Sequence, residues 1–282
     1  MRTISEEARG LFRQYLLDEE KASATVGKYL HDVTEFRRQL GGREVCRAAV
    51  LHYKSQLCDR YAPTSVNAAI SSLNCFFKFM AWYDLRLKSL KIQRQIFASE
   101  DGVLSGAEYE CLLRTAKQKK NERLLLLMQT ICSTGIRVSE LSFITVQAVS
   151  CGVAEISCKG KCRRVFLPDA LCRLLGRYIR EKNIKSGPVF ITKKGNPLDR
   201  SNIWSDMKKL CRAANLPEGK VFPHNLRHLF ARTYYGLYRD VVRLADILGH
   251  SSVNTTRTYT AETGELHRQQ IQRLGLLYTS EN

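Results

Sequence analysis

The chain has 282 residues, 44% of them apolar and 26% charged, a composition that excludes wholesale disorder and leaves room for two domains. Lys and Arg outnumber Asp and Glu by 45 to 27, a formal net charge of +18. Such an excess favours a polyanionic partner, because each phosphate neutralised releases condensed counterions; a ribosome-associated or merely basic protein is the competing reading.

Ala8, Leu11, Phe12, Tyr15 and Leu16 recur at helical spacing and predict a first amphipathic helix. Ser23 or Thr25 can cap a second, carrying Val26, Tyr29, Leu30, Val33 and Phe36, which Gly41-Gly42 stops. A third is expected over about 44–59, ending before Tyr61-Ala62-Pro63, and Thr64 or Ser65 opens a fourth with Val66, Ile70, Leu73, Phe76, Phe77 and Phe79. Four short helices make a small bundle, an N-terminal helical domain over 1–87. Residues 88–102 are polar, basic and without clear periodicity, and they read as a linker; 103–282 form the second domain.

In that second domain Ser105 and Glu108 have the spacing of a capping box, and an apolar helix from about 122 to 133 stops at Thr134-Gly135. Then the period changes. Residues 153–158 and 163–167 alternate like strands, joined by Lys159-Gly160-Lys161-Cys162, a hairpin with a basic tip. Helices follow at roughly 169–183, 199–214, 224–236, 239–248 and 252–260. The fold class is mainly α with one small β-sheet. The first 100 residues hold 16 Lys/Arg against 11 Asp/Glu and the remainder 29 against 16, so the second part is the more basic.

Ten cysteines include no C-x-x-C pair, and neither His224 nor His250 has a cysteine at ligand spacing, so no metal site is expected. Scattered thiols without a signal peptide point to a reducing cytoplasm. The longest aliphatic run, Leu124 to Leu127, is far too short to span a bilayer.

Candidate chemistry lies in the second domain. Arg137 follows a helix-ending glycine and projects from a helix junction; alternatively it is a surface arginine pairing with Glu140 at i+3. His224 and Arg227, three apart on one helix, share a face, while Leu226, Leu229, Phe230 and Thr233 take another and hold the helix to the core. His228 is expected to point away from His224 and to be a buried, hydrogen-bonded histidine. Gly249-His250 ends one helix, and the next carries Tyr259 about two turns in. Tyr234, Tyr235, Tyr238 and Tyr278 are also present, so tyrosine identity alone selects nothing.

The segments T-G-I-R-V-S-E-L (134–141), K-G (159–160) before a basic strand, H-N-L-R-H-x-F-A (224–231), L-G-H-S-S (248–252) and T-T-R-T-Y (255–259) resemble, in order and spacing, the tyrosine recombinase (phage integrase) family, and among its members the short Xer-like ones. The similarity covers nearly the whole chain. It implies a four-helix, SAM-like core-binding domain followed by an α+β catalytic domain, the two closing as a clamp round DNA.

Carried over residue by residue, it makes Tyr259 the nucleophile that leaves a 3′-phosphotyrosyl bond and a free 5′-hydroxyl. Arg137 and Arg227 would grip nonbridging phosphate oxygens, as a planar guanidinium does well. Lys159 would be the general acid, with Lys161 the competing candidate; His224 would accept or position the tyrosine proton, and His250 would donate to the phosphate. No cofactor, metal or ATP is implied. Lys161, Arg164, Arg200, Asn202, Lys208 and Lys209 are plausible DNA contacts. The resemblance further implies paired inverted core sites on double-stranded DNA, a homotetramer on two sites, a Holliday junction, and a C-terminal helix (Leu266, Ile271, Leu274, Leu276, Leu277) docking in trans. It also implies a cytoplasmic, nucleoid-associated protein of bacterial, phage or mobile-element origin. A DNA-binding regulator of the same fold and a type IB topoisomerase stay open beside the recombinase.

Overall fold

The computed structural model describes residues 2–92, 102–158, 161–192, 194–250, 252–260 and 272–273; for Cys158, Lys161 and residues 257–260 it describes the backbone alone. Contacts divide the chain into two compact units, Met1–Arg94 and Gln95–Asn282. Among the described residues no helix is long and apolar enough to cross a membrane.

The first unit is built from α1 (Glu6–Asp18), α2 (Ser23–Leu40), α3 (Arg47–Arg60) and α4 (Pro63–Phe79). Ser5 caps α1 by accepting from the Ala8 N–H, and Gly41, at φ 58°, ends α2 in the left-handed region. The expected caps of α2 and α4 are not used: Ala22 and Ala62 stand at those positions without a side-chain bond, and Pro63 starts α4, where a missing N–H costs nothing. The helices bury an aromatic core in which Phe76 meets Phe12 at 5.1 Å and Trp82 at 6.0 Å, both edge to face. Asn74 and Asn67 on α4 each take both backbone groups of one later residue, Leu87 and Leu90, and so lay the segment after Trp82 along the bundle.

The second unit contains α5 (Gly106–Gln118), α6 (Glu122–Thr134), a 3-10 helical turn at Val138–Phe143, α7 (Val146–Cys151), strands β1 (Val153–Cys158) and β2 (Lys161–Phe166), then α8 (Asp169–Glu181), α9 (Arg200–Ala213), α10 (Pro223–Tyr238), α11 (Val241–Leu248) and α12 (Val253–Thr260). Ser105 and Glu108 form both halves of the capping box. The antiparallel hairpin pairs Val153 with Phe166 and Cys158 with Lys161. Lys161 and Cys162 are thus ladder residues, not part of the connection as expected. Alternation puts Ala154, Ile156 and Val165 inward and leaves Phe166 74% exposed.

One glycine decides how α6 packs. Gly135 ends α6 at φ 66°, and a Cβ there would lie 2.5 Å from the ring of Phe230 on α10. Its absence lets α10 come against the C-terminal end of α6.

Candidate active site

Arg227 is the largest fully buried side chain among the described residues, 2% exposed. A buried guanidinium must find acceptors. It finds them at two helix ends: Nη1 donates to the Gly135 carbonyl at 2.6 Å and Nη2 to the Leu248 carbonyl at 2.8 Å. Unpaired carbonyls and the negative pole of the helix dipole meet there, so the ends of α6 and α11 favour the charge. Arg227 is therefore turned into the protein. It and His224 nevertheless reach one cavity of about 360 Å3, shared with Arg137, Arg200 and the apolar walls of Trp204 and Phe222.

His250 stands against Arg227, its Nε2 2.9 Å from Arg227 Nη2, while its Nδ1 is 2.8 Å from Thr256 Oγ1. A guanidinium can only donate, so Nε2 is the acceptor and the proton sits on Nδ1, donated to Thr256. Burial first, then Arg227, Arg137, Arg163 and His224, push the imidazole down to about 4. In this arrangement both ring nitrogens are engaged, and the donor expected for a phosphate is directed to Thr256, which is fully buried on α12, the helix of Tyr259.

His224 lies at the cavity. Desolvation by the wall, then Arg227, Arg137 and Arg200, hold its pKa below the ordinary value. The ring of His228 meets that of His224 edge to face at 4.7 Å. One helical turn separates i from i+4, so the two rings meet, which corrects the expectation that His228 points away from His224. Burial first, then His224, Arg232 and Arg227, lower His228 to about 4.

Arg137 keeps 41% of its side chain exposed and is anchored at its base. Its backbone N–H donates to Glu140 Oε2 at 2.8 Å and its Nη1 to Glu140 Oε1 at 3.0 Å. Glu140 is itself buried and takes both terminal nitrogens of Arg163, at 2.7 and 2.8 Å. Burial raises the Glu140 carboxyl, but the bonds from Arg163 and the Arg137 N–H outweigh it, and the net shift is downward.

The structure thus brings together Arg137, Arg200, His224, Arg227 and His250. Of the other expected DNA contacts, Arg164, Asn202, Lys208 and Lys209 do not line the cavity. Arg164 lies on the outer face of the hairpin, 3.3 Å from Glu155; Lys208 donates to the Glu218 carbonyl and lies over the Trp204 ring; Asn202 and Lys209 are exposed on α9. Lys159, the side chains of Lys161 and Tyr259, and all of the apolar C-terminal positions named above fall outside the described residues. Of Tyr259 the backbone alone is described, on α12. Sequence reasoning missed Arg163, Thr256 and Trp204; it named Glu140 as a partner of Arg137, a pairing the structure shows, but not as a buried carboxylate. Alternation along β2 offered one signal, since Arg163 shares the inward face with Val165.

Comparison with known proteins gives one answer. The model of the phage integrase family matches residues 102–265. The tyrosine recombinase XerA of Pyrococcus furiosus is 27% identical over 286 residues, covering 98% of this chain and 96% of the archaeal one. A crystal structure of XerA recombinase superposes with a TM-score of 0.54 at 25% identity, covering 96% of this chain and 99% of that one. The fold is also that of a lambda integrase tetramer bound to a Holliday junction, with a TM-score of 0.71 at 17% identity over 90% of this chain and 76% of that one.

Proposed function

The chain belongs to the phage integrase family, and on that premise we propose that it is a site-specific tyrosine recombinase, cutting and rejoining DNA strands through a covalent phosphotyrosyl intermediate. The observation that carries the reading is the cavity in which a buried arginine, a half-exposed arginine and a histidine of lowered pKa converge.

Arg137 and Arg227 supply positive charge that cannot be titrated away, directed at one anion-sized space. Stabilising charge as it develops on the nonbridging oxygens is commonly the largest catalytic term, on the order of several kcal/mol. His224, neutral at pH 7, takes the phenolic proton as the Tyr259 oxygen bonds to phosphorus. The bond to the 5′-oxygen breaks, Lys159 gives that oxygen its proton, and a 5′-hydroxyl leaves. Phosphoester energy is stored in the tyrosyl bond and returned on rejoining, so the exchange needs no nucleotide. A phosphate beside His250 raises the proton affinity of its ring, and a proton at Nε2 turns that nitrogen from Arg227's acceptor into a donor to the phosphate.

A homotetramer on two inverted-repeat DNA sites, with the C-terminal segment of each protomer docking in trans, extends the same reading. It is tested with a plasmid bearing two copies of the DNA that flanks the gene, without ATP. Recombinant circles are the expected product. Relaxed circles without exchange would instead mark a topoisomerase, and tight binding with neither product a regulator.

A further inference from the structure

We propose that Arg163 is a positioning residue for Arg137: by meeting the charge of Glu140, it leaves the charge of Arg137 available to the scissile phosphate. The inference rests on the reading of Arg137 as a phosphate clamp.

Glu140 accepts four hydrogen bonds, two at each oxygen. Oε1 takes Arg163 Nη1 and Arg137 Nη1; Oε2 takes Arg163 Nη2 and the Arg137 N–H. The side chains of Arg163 and Glu140 are 18% and 4% exposed, so their charges are weakly screened. With two arginines round one carboxylate the triad carries a net charge of +1, and the share of it on the exposed edge of Arg137 faces the cavity. Without Arg163 the triad is neutral. Glu140 would then hold Arg137 as its sole counter-ion, and a phosphate would have to compete with a buried carboxylate for the same guanidinium.

Two features show that Arg163 is seated for this and is not a chance pairing. Among the described residues its buried Nε has no hydrogen-bond partner, a desolvation cost that an apolar side chain on the inward face of β2 would avoid. Room for it comes from Gly249: a Cβ there would lie 2.7 Å from Arg163 Cδ and 3.0 Å from its Nε. The carbonyl of that glycine lies 3.4 Å from Arg137 Nη2, so the same turn that carries His250 touches both arginines.

The test measures single-turnover cleavage of a nicked core site with an ordinary phosphodiester or a neutral methylphosphonate at the scissile position. Arg163→Met is expected to cleave the phosphodiester about 10- to 100-fold more slowly than wild type, and the methylphosphonate, which has no charge to neutralise, at close to the wild-type rate. Adding Glu140→Gln restores the triad to +1 and is expected to recover much of the lost rate; this double variant also leaves no buried carboxylate should the single one fold poorly. Equal slowing on both linkages, no slowing, or no recovery on adding Glu140→Gln would overturn the inference. Arg137→Ala separates the two readings. Rescue of Arg137→Ala by methylphosphonate without rescue of Arg163→Met defeats the Arg163 proposal alone, whereas failure to rescue Arg137→Ala removes the clamp itself.

Discussion

The two units bury different things. Among the described residues, the first unit buries aromatic and aliphatic side chains and only Asp32 and Ser72 from the polar set, bonded to each other at 2.6 Å. The second buries Glu140, Arg227, Asn225 and Thr256 beside its apolar core. Desolvating a guanidinium or a carboxylate costs several kcal/mol unless every lone pair and proton is met. A protein that only needed to hold the second unit together would use leucine at Arg227. The first unit's core serves the fold, and part of the second unit's core serves a site.

Substitutions in the two cores are expected to have opposite effects. Phe76→Ala, in the first core, is expected to cost about 3–5 kcal/mol of stability, seen as a lowered melting temperature, with the cleavage rate per folded molecule unchanged. A large loss of chemistry there would erase the distinction. Arg227→Ala should do the reverse. It leaves the Gly135 and Leu248 carbonyls without their donor and is expected to slow single-turnover cleavage about 100- to 1,000-fold, with a smaller effect on melting.

Thr256→Val keeps the shape of a buried side chain and removes the acceptor of the His250 Nδ1–H. About 1 kcal/mol of transition-state stabilisation should be lost, about fivefold in cleavage rate, and no change would show that the α12–His250 link is idle. The smallest effect concerns pH. His224 has a pKa below its ordinary value, so it is neutral at pH 7 and the acid limb of the rate profile lies below the ordinary histidine range. Arg200 contributes to the lowering, so Arg200→Gln raises the His224 pKa and should move the acid limb upward at low salt, shrinking as salt screens the pair. A limb that stays put or moves down would detach Arg200 from His224.

Much of the fold was legible. The helices announce themselves by apolar spacing, and the site arginines and histidines stand in separated motifs. What escaped depended on tertiary partners. Arg227 is buried because two helix ends, 92 and 21 residues away along the chain, supply its acceptors, and no local pattern reports that. The hairpin turn was set too long: Lys161 and Cys162 pair across the ladder with Cys158 and Ser157. His228 was misdirected for a simpler reason: i and i+4 on a helix are neighbours, and that geometry was available from the sequence.

A covalent cut by Tyr259 at this cavity is tested by a denaturant-resistant protein–DNA adduct on nicked DNA from the gene's flanks, with the linked peptide identified by mass spectrometry. An adduct at a 3′-phosphate on the peptide containing Tyr259, and none with Tyr259→Phe, is the expected result. An adduct that persists in that variant, or maps to Tyr234, Tyr235 or Tyr238, would contradict it.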